Sequence, residues 1–162
     1  MPRTKQTTQT VRINGVRTIL TTAKDGTVKA KPAGALEWEL QAAAVRRLRS
    51  MPEYGRRFLL AGDMAAGKRG PTAQAQAVAT GLTPGDPDLR IYLEGGQCGF
   101  IEYKTDKGRL SSAQVQRHAS MLRLGHRVVT IAASSETECA DQTERQVRQW
   151  LAANDNKLDK SR

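Results

Sequence analysis

The chain is poor in cysteine, aromatic rings, acid and large apolar side chains, and each shortage excludes a class of protein. Two cysteines, Cys98 and Cys139, cannot build a disulfide framework. Seven aromatic residues in 162 argue against a platform that stacks successive bases of a single strand. No run approaches the roughly 18 uninterrupted apolar residues that a membrane span needs. Behind Met1-Pro2-Arg3-Thr4-Lys5-Gln6 there is no apolar stretch to serve as a secretory signal. Leu, Ile, Val and Phe together number 30, so the core must be small and part of the chain loose. The expectation is a soluble, cytoplasmic protein of about one domain, in a reducing compartment and without a membrane partner.

What is abundant is positive charge. Lys and Arg number 26 against 16 Asp and Glu, a net charge of +10. Residues 1–36 carry Arg3, Lys5, Arg12, Arg17, Lys24, Lys29 and Lys31 against the single acid Asp25, which is +6 of that total. A polyanionic partner follows, with nucleic acid the first candidate. Such an arm can neutralise phosphates without reading bases; a merely solubilising tail has the same composition.

Hydrophobic spacing gives the organisation. Residues 10–30 alternate weakly around Asn14-Gly15 and Asp25-Gly26, which suggests a small hairpin or ordered arm. Residues 29–34 read as linker. A helix is expected over 36–49, with Leu40, Ala44, Val45 and Leu48 in one stripe and Met51-Pro52 ending it. A strand at 58–60 leads into 62–84, rich in Gly, Ala, Gln and Pro, which reads as a long functional loop. Strands at 89–93 and 98–104 flank Gly95-Gly96 as a hairpin. Ser111 and Gln114 have capping-box spacing and open a helix carrying Val115, Ala119 and Leu122, ended by Gly125. A buried strand at 127–132 precedes a helix opened by Ser135 and Glu138, with Ala140, Val147 and Leu151 along one side. The domain plan is a basic arm at 1–35, a mixed α/β domain at 36–153 and a frayed tail at 154–162.

Two familiar patterns fail. Gly62-Asp63-Met64-Ala65-Ala66-Gly67-Lys68 fits a phosphate-binding loop, but Arg69 stands where a Mg²⁺-holding Ser or Thr is needed. Gly70-Pro71 is also expected to stop the helix that would receive the phosphate. Cys98, His118, His126 and Cys139 lack the short spacings of a structural zinc site.

The constellation that remains is Gly85-Asp86-Pro87-Asp88, thirteen further residues, then Glu102-Tyr103-Lys104. In a strand Glu102 and Lys104 share a face while Tyr103 points away. If Asp88 shares that face, two carboxylates and an ammonium converge. Oxygen ligands of this kind suit Mg²⁺ or Mn²⁺, which can polarise a phosphodiester and acidify a bound water, with Lys104 assisting. A two-residue Gly95-Gly96 loop would put Asp88 opposite Tyr103, on the wrong face; a three-residue loop or a bulge restores the alignment. The same spacing fits a surface Glu–Lys pair beside a Pro-Asp turn. Glu37 lies on the stripe side of the first helix, where a carboxylate needs a partner or else caps the helix.

At these residues the chain resembles a known family. The blocks Gly81-Leu82-Thr83-Pro84-Gly85-Asp86-Pro87-Asp88, Phe100-Ile101-Glu102-Tyr103-Lys104, Gly108-Arg109-Leu110-Ser111-Ser112-Ala113-Gln114 and Leu124-Gly125-His126-Arg127 are similar, in order, to the VRR-NUC domain. That is the virus-type replication–repair branch of the PD-(D/E)XK nucleases. The likeness spans about 36–151 and leaves the arm unmatched. It implies a restriction-endonuclease-like core, a central mixed sheet flanked by helices, and Mg²⁺- or Mn²⁺-dependent cleavage of DNA. By position, Asp88 and Glu102 would be metal ligands, the Tyr103 carbonyl a third, and Lys104 the catalytic lysine. Glu37 matches the helical acid of the pattern Glu37-x-x-Leu40-Gln41, acting on a metal through water. Gln114 matches a glutamine that follows the lysine, though its capping role explains it equally well. Asp86 departs from the family, which often has an apolar residue there.

The resulting expectation is an endonuclease acting on branched DNA, of flap or junction type, in bacterial or phage replication or repair. The basic arm, Lys68, Arg69 and Arg109 would grip the DNA backbone. A homodimer fits the small size, since one domain covers little DNA. The rival reading is a catalytically silent nucleic-acid-binding protein on the same fold.

Overall fold

The computed structural model describes residues 6–14, 16–63 and 70–159. They fall into two compact units, Met1–Ala35 and Leu36–Arg162.

In the first unit β1 (Thr7–Ile13), β2 (Val16–Thr22) and β3 (Val28–Pro32) form an antiparallel sheet in chain order. Asn14 turns β1 into β2 with φ of 49°, a conformation that asparagine tolerates. The arm is therefore one strand richer than a hairpin, and most of the expected linker is β3. Its alternation is hard to read because the apolar members, Val28, Ala30 and Pro32, are small. Cross-strand register pairs Arg12 with Arg17, Thr10 with Ile19, Ile19 with Lys31, and Thr21 with Lys29. Because partners share a face, Arg12, Arg17, Lys29 and Lys31 all lie on one side. Val11, Ile13, Leu20, Val28 and Ala30 lie on the other.

The second unit is built on a four-stranded sheet of order β4 (Phe58–Gly62), β5 (Leu89–Leu93), β6 (Gln97–Thr105), β7 (Arg127–Ala133). The β4–β5 and β5–β6 pairs are antiparallel and β6–β7 is parallel. Helices α1 (Glu37–Ser50), α2 (Pro71–Ala79), α3 (Ser112–Arg123) and α4 (Glu136–Asp159) complete it. The chain is mixed α/β with a central mixed sheet flanked by helices, as expected. Helix α3 is the crossover that a parallel pair requires.

One sheet face holds the core. Leu89, Ile91, Leu93, Ile101 and Tyr103 are buried, with Leu40 and Leu48 of α1 and Val147, Trp150 and Leu151 of α4. Gly99 belongs to the same face, and a Cβ there would stand 2.4 Å from the Trp150 ring. Cys139, Thr143 and the Tyr103 hydroxyl form a short polar line inside it, with the Thr143 hydroxyl donating to the Cys139 carbonyl at 2.8 Å. At the α1–α4 seam Arg47 meets Asp141 at 2.7 Å and Glu144 at 2.9 Å. These pairs are open to solvent, which screens them, so they orient the seam more than they stabilise it.

The opposite face carries Arg90 and Tyr92 on β5, with Asp88 just before that strand, and Phe100, Glu102 and Lys104 on β6, by strand alternation. Helix α3 covers one end of it, and here the expected orientation is overturned. Val115 and Leu122 of the apolar stripe point outward, 53% and 54% exposed, while His118 and Met121 are buried. The side turned inward carries Gln114 and His118, which face Glu102, together with Met121.

Two further expectations change. Residues 62–84 are not a continuous loop: Gly70 is the N-cap and Pro71 the first residue of α2. Proline suits that position, where its missing N–H costs nothing. No residue of α2 is buried, so it has no apolar stripe by which to announce itself. The tail expected to fray from residue 154 is helical to Asp159. Asn154 is buried, donating to the Glu94 carbonyl at 3.0 Å and accepting from Arg127. Among the described residues no helix is long and apolar enough to cross a membrane.

Candidate functional site

The β5–β6 connection decides where Asp88 stands. Leu93 pairs with Gln97 around the three-residue loop Glu94-Gly95-Gly96, and Leu89 pairs with Ile101. Gly95 and Gly96 both take positive φ, which glycine adopts without strain. One step further along this register sets Asp88 opposite Glu102, on the shared face. Pro87, buried and without an N–H, stands two residues before the strand begins at Leu89. The Asp88 carboxylate accepts the Tyr103 N–H at 2.8 Å. The N–H and C=O of one strand residue leave on the same edge, so the Tyr103 carbonyl is also directed toward the β5 side. Behind Asp88, its carbonyl accepts from the Gln41 side chain at 2.9 Å and from the Asp63 N–H at 2.8 Å.

Glu102 is fully buried. One carboxylate oxygen, Oε1, lies 2.7 Å from Lys104 Nζ and accepts from Gln114 Nε2 at 2.5 Å. The other, Oε2, is buried without a hydrogen-bond partner, 3.8 Å from His118 Nε2, which is likewise unpartnered. Burial pushes the Glu102 carboxyl up to about 7, aided by Asp88 and Glu37 and opposed by Lys104. Burial raises Asp88 as well, against the pull of the Tyr103 N–H and Lys104. For Lys104 burial works against the ammonium, but Glu102 and Glu37 outweigh it and hold its pKa above the ordinary value. Burial, then Lys104, lower His118, so its imidazole favours the neutral form.

Glu37, the first residue of α1, sits 3.4 Å from Lys104 Nζ and is half exposed. It does not cap its helix; the Leu36 N–H goes to Glu39 at 2.8 Å. Gln114 fills both roles that its position suggested. Its Oε1 accepts the Ser111 N–H at 2.9 Å while its Nε2 holds Glu102. Gly108, in the loop before α3, has Glu37 Oε1 only 3.2 Å from where a Cβ would stand. Arg109 follows it and is exposed. Lys68 and Arg69 lie outside the described residues.

Spacing therefore brings Asp88, Glu102, Lys104, Gln114 and Glu37 to one place, a cleft of about 330 Å³ walled by Gln74 of α2 and by Thr83 and Gly85. Gly85, at φ of 88°, packs so closely on α3 that a Cβ would lie 2.5 Å from the Ala113 carbonyl. Asp86 is not part of the cluster's chemistry: it takes Arg117 Nε at 2.5 Å and stands 3.8 Å from Arg90. Sequence reading missed His118. The signal was available, since it lies four residues after Gln114 on the same helical face.

Among the described residues, no three His, Cys, Asp or Glu side chains gather as a metal centre. Two carboxylates with an unpartnered oxygen and a nearby carbonyl are still a donor set for a hard cation that keeps much of its water.

Fold and cluster together define a mixed α/β domain with an acid–lysine centre at the end of its central sheet. No protein-family model matches the chain, nor does any curated protein sequence. A solved structure described as "VRR_NUC domain" is similar to it, with 18% sequence identity and a TM-score of 0.44, over 69% of this chain and 94% of that one.

Proposed function

We propose that this protein is a divalent-metal-dependent nuclease that hydrolyses DNA phosphodiester bonds, cutting internally and favouring branched substrates of flap or junction type. The observation that carries the reading is Glu102: a fully buried carboxylate with one oxygen tied by Lys104 and Gln114 and the other without a partner. An unpaired buried oxygen costs stability, and such costs concentrate where a site is built for a ligand. The motif resemblance to the VRR-NUC domain supports the same assignment.

Mg²⁺ or Mn²⁺ held by Asp88, Glu102 and the Tyr103 carbonyl would polarise the scissile phosphodiester and acidify a water. The chain's own groups prepare that chemistry. Gln114 and the Tyr103 N–H fix the two carboxylates in place. Lys104, kept charged between Glu102 and Glu37, offers its ammonium to the negative charge that builds on phosphate oxygens. Glu37, half exposed, is positioned to accept a proton or a hydrogen bond from solvent entering the cleft. Arg109, Lys68 and Arg69 would contact the DNA backbone. The exposed Val115 and Leu122 of α3 offer apolar surface to a second copy in a homodimer.

The test is cleavage of labelled linear duplex, single-strand, flap and four-way-junction DNA with Mg²⁺, Mn²⁺ or EDTA. Wild type is expected to cut only with metal, and Glu102→Gln and Lys104→Ala to lose at least about 100-fold. Salt-sensitive binding retained in both variants, with no turnover by any of the three proteins, would establish the silent binder instead.

A further inference from the structure

Next to the cleft, on the same sheet face, a second cavity of about 380 Å³ is lined by Arg90, Tyr92, Phe100, Arg117, Met121 and His126, among others. Asp86 is a wall of both cavities. The strands lay the two out in sequence. The same-face positions run Asp88, then Arg90 and Tyr92 on β5; on β6 they run Glu102, Phe100, with Arg90 opposite Phe100. Each step of two residues advances about 7 Å. A polymer that crosses the carboxylates and continues along the strands next meets two guanidiniums, then aromatic rings.

The chemistry of the second cavity is that of one nucleotide. Asp86 takes Arg117 at 2.5 Å and lies 3.8 Å from Arg90, which also stands 4.0 Å from Asp63, so two carboxylates brace two guanidiniums and leave N–H donors of each fork unused. The acid that departs from the family pattern thus has a use outside the metal-ligand set. Phe100 and His126 meet edge to face, with ring centroids 5.5 Å apart, and Tyr92 is 45% exposed. Of seven aromatic residues, Phe58, Tyr103 and Trp150 are spent in the core, and two of the remaining four converge here.

We infer that this cavity binds one unpaired nucleotide adjoining the cleavage site, its phosphate against Arg90 and Arg117 and its base on Tyr92 and Phe100. The inference rests on the nuclease reading and sharpens it, because a base can stack on protein rings only when freed from its neighbours in the duplex. DNA with an unpaired residue beside the scissile bond is then the preferred substrate class.

Binding of a fluorescent ten-nucleotide thymidine strand and of its abasic counterpart, both in EDTA, tests this by anisotropy. Wild type should bind the thymidine strand about fivefold or more tightly than the abasic one. Tyr92→Leu should erase that difference and Tyr92→Phe should keep it. Arg90→Gln should weaken both strands alike and flatten the salt dependence. Equal binding of the two strands by wild type, or a base preference that survives Tyr92→Leu, overturns the proposal. So does a Tyr92→Leu protein that sediments as a monomer where wild type is a dimer, with DNA affinity unchanged, since the cavity would then be a protein interface. Because no metal is present, failure of the nuclease reading leaves these outcomes interpretable.

Discussion

Glu102 concentrates the chemistry of this protein in one side chain, and its protonation has a thermodynamic signature. Its folded pKa of about 7 stands above the ordinary 4.5, so the folded state holds a proton that the unfolded chain releases. The stability this contributes is fully present below about pH 4.5 and is lost as pH rises through about 7. Glu102→Gln, which cannot ionise, is therefore expected to be more stable than wild type at pH 8 by on the order of 1–3 kcal/mol in EDTA, and nearly equal to it at pH 4. Urea denaturation at the two pH values measures it, and a variant less stable at pH 8 would reverse the sign. Much at this scale was legible in the chain. Glu102 and Lys104 follow from strand period, Asp88 joins them only because the loop has three residues, a length the chain left open, and Gln114 comes from a capping box that serves two ends of one amide. His118 was legible only as a neighbour of Gln114 four residues on; nothing in the chain says that this side of the helix is the one the fold buries.

At the scale of elements, α3 explains why patterning misled. Period 3.6 says which residues share a face; it does not say which face turns inward when a buried carboxylate must be satisfied. The polar side won, and Val115 and Leu122 were left in solvent. α2 was invisible for a related reason, having no buried side, while α1 and α4 were readable because their apolar stripes pack on each other and on the sheet. That packing leaves no slack at Gly99, where the Trp150 ring occupies the space of a Cβ. Gly99→Ala is expected to cost about 1–3 kcal/mol or more, seen as a lower denaturation midpoint. Unchanged stability would mean that the ring can move aside.

At the scale of the whole molecule, the densest positive charge and the acid–lysine cluster lie in different units. The carboxylates gather in the second, while the first presents Arg12, Arg17, Lys29 and Lys31 from one sheet face. Replacing both Lys29 and Lys31 by alanine is expected to weaken DNA binding at low salt. The slope of log affinity against log salt should fall by up to about 1.8, with cleavage under saturating DNA little changed. A parallel shift with an unaltered slope would show that these lysines do not touch phosphates. Composition had placed the cations correctly along the chain, but their gathering on one face depends on strand register and a third strand that small side chains concealed.

The three-stranded sheet has a consequence for the lifetime of the protein. A unit of 35 residues in one layer lies below the size at which a core sustains itself, so its strands open at far lower free energy than β5 and β6. Backbone amides over 7–32 should exchange with deuterium orders of magnitude faster than those over 97–105. Trypsin should clip at Arg17, Lys24, Lys29 or Lys31 long before it enters the second unit. In a cell rich in proteases, the basic sheet would be the first part of the chain to be lost.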